Sequence, residues 1–210
     1  MIDLDTRLET HEHPFRHFRG AALLSARALA DLGATAPDEG LFKRIDTSTT
    51  TGYVRRRYRS SVLPLSDNKS GFAFGLDALA PPWRELATDL VSGELADWLR
   101  RETGVDTAGL HRTSEIFRHY DGDFDDLNTG KLHKRLQLSL HLNEDWPGDG
   151  GGEFELWSGP DRSAGPAWAM SPVGGTALIY SASPSSWHQT VPVSEGRGLV
   201  RLSVSLSFFE

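Results

Sequence analysis

The chain contains no cysteine. Disulfides, thiolate metal sites and cysteine nucleophiles are excluded together, so any metal held here must use His, Asp or Glu. No apolar run approaches the length that a helix needs to cross a bilayer. The N-terminus, MIDLDTRLETHEHPF, lacks the apolar core of a secretory signal, and a cytoplasmic protein is expected. Basic residues are the minority: 22 Lys and Arg stand against 29 Asp and Glu, a net charge of −7. That balance argues against a general nucleic-acid binder, and no membrane partner is expected either. Internal repeats and low-complexity tracts are also missing. What remains is ordinary: 210 residues, 38% hydrophobic and 24% charged, suit one domain over 1–210 with a sizeable core.

Two helices are expected before residue 112. Ala21 to Leu32 has helical composition and stops at Gly33. A second helix is expected from Trp83 to about Arg101, with Pro81-Pro82 before it and Gly104 after it. Its Leu86, Leu90, Leu95 and Leu99 form one apolar stripe. From Thr113 the pattern changes to strands and turns. Arg135 to Asn143 alternates without a break, leucines on one side and Arg135, Gln137, Ser139, His141 and Asn143 on the other. Arg201 to Phe208 repeats the pattern, and Glu153 to Trp157 and Thr176 to Tyr180 supply further strands. Many short strands between Gly- and Pro-rich turns predict a mainly β fold with flanking helices, a jelly roll. The polar face of each strand then lines either solvent or a cavity. Strand pattern alone favours solvent.

One short stretch begins a donor set. His119-Tyr120-Asp121 closes the strand-like run Ser114 to Arg118, and residues i and i+2 on a strand share a face. A third donor, His188, follows 188 − 121 = 67 residues later. Two neutral imidazoles and a carboxylate placed facially make a mononuclear non-haem Fe(II) site with open positions for a co-substrate and dioxygen. By itself an H-x-D is a weak signal in a chain with 8 His and 29 acidic residues.

Its neighbours add specificity. The segment Gly130 to Trp146, with its Leu142-Asn143 and following Trp, resembles a stretch of the 2-oxoglutarate/Fe(II)-dependent oxygenases of the prolyl-hydroxylase-like superfamily. Gly151-Gly152-Glu153-Phe154-Glu155-Leu156-Trp157 resembles that family's GG-x-x-E-L-W strand. His119-Tyr120-Asp121, His188 and Arg201-Leu202-Ser203 follow the family's order of H-x-D, distal His and R-x-S. The resemblance covers 113–210 and implies a double-stranded β-helix core there, with 1–112 as a substrate-side part. It implies that His119, Asp121 and His188 bind Fe(II) and are the catalytic centre. It implies that Arg201 and Ser203 hold the distal carboxylate of 2-oxoglutarate, a task suited to a planar guanidinium. His141 stands where the family often has a co-substrate-binding Tyr. Fe(II), 2-oxoglutarate and O2 are the implied cofactors, with ascorbate as a stimulant. The implied reaction is hydroxylation of an unactivated C–H bond in a small molecule or amino acid, releasing succinate and CO2.

Several readings stay open. A second register aligns Gly122-Asp123-Phe124 with the common G-D-F ahead of H-x-D, which puts Asn128 and Gly130 at the ligand positions. The His119 register is preferred because it keeps all three donors. Arg197 competes with Arg201 but lies in a likely turn, Ser194 to Gly198, and is read as solvated. His11-Glu12-His13 and His17 are read as surface residues, Tyr180 and Trp187 as core packing, and His133 as a loop residue. Arg55-Arg56-Arg57-Tyr58-Arg59 is either a solvated face or a clamp for an anionic substrate. Two other classes compete: a cupin-like metal enzyme without 2-oxoglutarate, which leaves Arg201-x-Ser203 unexplained, and a non-catalytic β-sandwich binding module, which predicts that His119 and His188 lie far apart.

Overall fold

The structure is a computed structural model that describes residues 1–51, 54–73, 75–131 and 133–210. Leu132, inside the segment that carries the resemblance, and the side chain of Arg55 lie outside the described residues. The described chain runs β1 (Glu9–His11), β2 (His17–Gly20), α1 (Ala26–Ala34), β3 (Lys43–Thr51), β4 (Val54–Asp67), β5 (Gly71–Phe72), α2 (Pro81–Val91) and α3 (Gly93–Thr103). It continues with β6 (His111–His119), β7 (Phe124–Asn128), β8 (Lys134–His141), β9 (Phe154–Trp157), β10 (Trp168–Met170), β11 (Ala177–Tyr180), β12 (Trp187–Thr190) and β13 (Arg201–Phe209).

Local chemistry sets the helix limits. Ser25 caps α1, its side chain accepting from the Ala28 N–H, so the helix starts five residues later than composition predicts. The single helix expected from Trp83 to Arg101 is two. Ser92 adopts an extended backbone and its hydroxyl accepts from the Leu95 N–H at 3.1 Å, which ends α2 and starts α3. Gly104, at φ 72°, closes α3 in the left-handed conformation.

The strands form one curled sheet in the order β1-β2-β11-β8-β13-β6-β4-β7-β12-β9-β10, with β3 and β5 also paired to β4. The named pairs are antiparallel. The long strand β4 turns the sheet, pairing β6 along its second half and β7 at Tyr58 and Arg59. Two walls result, β8-β13-β6 and β7-β12-β9, the arrangement of a double-stranded β-helix. Leu136, Leu138, Leu140 and Leu206 pack outward into a core with Trp83, Leu86, Leu90, Leu95, Trp98 and Leu99 of α2 and α3. Burying each such side chain contributes about 1.5–3 kcal/mol.

The opposite face corrects the expectation drawn from strand pattern. Gln137, Ser139, Ser203, Ser205 and Ser207 do not look to solvent. They line a cavity of about 240 Å³ between the two walls. Among the described residues, no helix is long and apolar enough to cross a membrane.

Candidate functional site

The cavity gathers residues from both walls. His119 and Arg201 face each other across β6 and β13, and both line it together with Ser203. His188, Asn128, Gly130 and Asp125 line it from β7, β12 and the turn beyond β7.

Arg201 is 2% exposed and held on three sides. Its Nε donates to the Gly152 carbonyl at 2.8 Å, Nη1 to Ser203 Oγ at 3.1 Å and Nη2 to His141 Nε2 at 3.1 Å. The Gly151-Gly152 pair has a direct reason here. Gly152 sits at φ +72° with room for a Cβ only 3.1 Å from Arg201 Cδ, so a side chain there would press on the arginine it anchors. Burial lowers the guanidinium to about 10, with Asp125 and Glu153 opposing, and it remains charged at neutral pH. His141 lies behind Arg201 rather than on the cavity wall. Its other nitrogen donates to Thr176 Oγ1 at 3.2 Å, which leaves Nε2 to accept from the arginine. In this structure it contacts Arg201 and is not among the residues that line the cavity.

His119 is 5% exposed, and its Nδ1 has no hydrogen-bond partner. Burial, with Arg201, Arg44 and Arg56 adding to it, holds its pKa well below the usual histidine range, so the ring is neutral. His188 has both nitrogens engaged: Nδ1 with the Ser186 carbonyl at 2.8 Å and Nε2 with the Tyr180 hydroxyl at 3.0 Å. Its ring stacks on Phe154 at 5.5 Å, and burial lowers its pKa to about 3. Tyr180 is therefore more than core packing, since it caps the nitrogen of His188 that would otherwise be free.

Asp121 does not join them. The i, i+2 argument holds only while the strand continues, and β6 ends at His119. Beyond it the chain turns: Asp123 N–H bonds to the Tyr120 carbonyl at 2.8 Å and Gly122 takes φ +72°. The Asp121 carboxylate accepts from Gly198 N–H at 3.3 Å, away from the cavity wall. The turn is tied down by Asp123, whose carboxylate takes Arg44 at 2.5 Å, Arg59 at 3.0 Å and the Tyr120 N–H at 2.9 Å.

Two arginines of the run are committed to acids. Arg56 pairs with Asp125 on the cavity wall and Arg59 with Asp123. Neither is the unpaired clamp that the sequence left open. Arg197 pairs with Asp149 on an exposed turn, as its solvated reading requires. His17 corrects the surface reading: it is buried beside Phe15 and Trp168. Sequence reasoning missed Lys134 and Gln137, which hydrogen-bond each other on the cavity wall. The alternation of β8 was the available signal.

Burial, then Arg56 and Lys131, lower the Lys134 ammonium from 10.5 to about 7. Burial penalises the charged form, so the folded state bears the full cost below about pH 7 and recovers stability as pH rises towards 10.5. Lys134→Met flattens that rise. A melting series from about pH 6 to about pH 9 shows a smaller gain for the variant than for the wild type.

Residues 108–209 match the model of the 2OG-Fe(II) oxygenase superfamily. That stretch, just under half of the chain, is similar to a superfamily whose members use Fe(II), 2-oxoglutarate and O2. Within it, the fold is that of the prolyl-4-hydroxylase-like members. A prolyl-4-hydroxylase from Pseudomonas putida is similar at 16% identity, with 92% of each chain covered and a TM-score of 0.54. AviO1 from Streptomyces viridochromogenes Tue57 is similar at 16% identity over 92% of this chain and 89% of its own, with a TM-score of 0.57. SnoN, a non-haem α-ketoglutarate-dependent epimerase from nogalamycin biosynthesis, is similar at 12% identity over 92% and 77%, with a TM-score of 0.56. At these identities the likeness establishes the fold alone. No curated protein matches the chain in sequence.

The donor set of this chain departs from the class. Among the described residues, no three His, Cys, Asp or Glu side chains converge where they could hold one ion. His119, Asp121 and His188 as arranged do not fit a ferrous ion, because the carboxylate lies outside the cavity and His188 has no free nitrogen.

Proposed function

We propose that the chain is a 2-oxoglutarate-dependent oxygenase that hydroxylates an unactivated C–H bond of a small molecule or amino acid, releasing succinate and CO2. One observation carries the reading: a buried, charged guanidinium, Arg201, beside Ser203 in the cavity of the family-matched core. A planar guanidinium meets a carboxylate through paired N–H groups, and burial strengthens each bond. His141 and the Gly152 carbonyl hold it ready. The substrate would occupy the remaining volume, where Lys134 and the Arg56–Asp125 pair suit an anionic or zwitterionic group. This reading assigns His119 and His188 to the metal; His188 would first have to release the Tyr180 hydroxyl, and the third ligand has to come from elsewhere than the observed Asp121 position.

One observation favours a second reading. The residues facing His188 are Asn128 and Gly130, so the core could keep its carboxylate pocket as a binding module and lack the oxidative step. Succinate formation separates the two. With Fe(II), 2-oxoglutarate and air, the oxygenase reading expects succinate release that rises when a screen of amino acids and small anions includes the substrate. No succinate above the protein-free control, with or without any compound of the screen, rejects it.

A further inference from the structure

Across the antiparallel pair of β7 and β12, His188 stands opposite Asn128. A side chain at Gly130 would begin 3.6 Å from His188 Cε1. These are the ligand positions of the second register, and neither supplies an imidazole or a carboxylate. The Asn128 amide is folded onto its own turn, Nδ2 donating to the Asp126 carbonyl at 2.7 Å and Oδ1 accepting from the Gly130 N–H at 2.8 Å. The metal half of the cavity is therefore poor in free donors.

The Arg201 half is the opposite. The guanidinium is oriented before any ligand arrives, and Ser203 Oγ sits beside it on the cavity wall. A charged donor with N–H groups to spare makes a strong bond to a carboxylate oxygen. Orientation in advance also lowers the cost of binding.

We infer that this pocket binds a dicarboxylate through Arg201 and Ser203 without requiring a metal ion. The inference rests on the Arg201 anchor of the reading above and not on its oxidative step. A chelate-dependent pocket draws affinity from the ion and from the keto oxygen that completes the chelate. Here the guanidinium supplies it, so a dicarboxylate without a keto group should serve as well.

The test is calorimetric titration of wild-type protein, kept in EDTA, with 2-oxoglutarate and with glutarate. A parallel titration in Mn(II) under nitrogen stands in for the ferrous state. The expected result is saturable binding of both acids in EDTA, with dissociation constants within about threefold of each other. Binding of 2-oxoglutarate in Mn(II) with none in EDTA overturns the inference and leaves the oxygenase reading standing. Binding of neither acid in either condition overturns the inference and the Arg201 anchor together.

Discussion

Arg201→Met raises the dissociation constant for 2-oxoglutarate by about thirtyfold or more, since truncating one partner of a buried charge pair costs about 2–5 kcal/mol. The arginine is charged and 2% exposed, and low local polarity strengthens its bond to a carboxylate. Arg201→Lys recovers only part of the loss. An ammonium is a point charge and cannot span the carboxylate while also reaching the Gly152 carbonyl, Ser203 and His141. Methionine fills most of the volume, so the variant stays folded while those three acceptors lose their donor. Calorimetric titration of a Met variant with wild-type circular dichroism checks the prediction. Affinity within about threefold of the wild type would show that Arg201 is scaffold and not a ligand contact.

The second large effect is on stability. Asp123 is fully buried and accepts from Arg44, Arg59 and the Tyr120 N–H. Removing one partner of a buried pair costs about 3–5 kcal/mol when the other charge stays dry. Arg44 and Arg59 are partly exposed and can turn to water, which lowers the expectation for Asp123→Ala to about 2–3 kcal/mol. For a chain of this size that is a fall of roughly 5–10 °C in Tm. Asp123→Asn keeps an acceptor for Tyr120 and loses less. Thermal unfolding of the two variants against wild type decides it: an unchanged Tm in Asp123→Ala would mean that the β6–β7 turn does not depend on this carboxylate.

These two residues also mark how far the sequence could be read. Arg201 was legible because function and fold agree there. It opens an alternating strand, Ser203 shares its face, and a Gly-Gly pair lets the backbone of a distant loop come close. The alternation of β8 and β13 gave the strands correctly, yet not which side the polar residues face, because that depends on the second wall formed by β7, β12 and β9. Asp121 failed for a local reason. Strand periodicity was carried two residues past the point where the chain turns, and the Gly122 and Asp123 that make the turn were available as its signal. The same two residues belong to the G-D-F register, which leads instead to Asn128 and Gly130 opposite His188. Asp123 was invisible as a structural anchor because its partners, Arg44 and Arg59, come from the β3–β4 hairpin 79 and 64 residues away. The helix break at Ser92 was legible in principle, as a Ser-Gly pair inside a long apolar stripe.

The position of a bound dicarboxylate is the central claim. A crystal structure of the protein grown with 2-oxoglutarate under nitrogen measures it. The expected density places one carboxylate against the Arg201 guanidinium and Ser203 Oγ, inside the cavity between the two walls. Density for the acid elsewhere, or a cavity filled by water alone at saturating ligand, would contradict it.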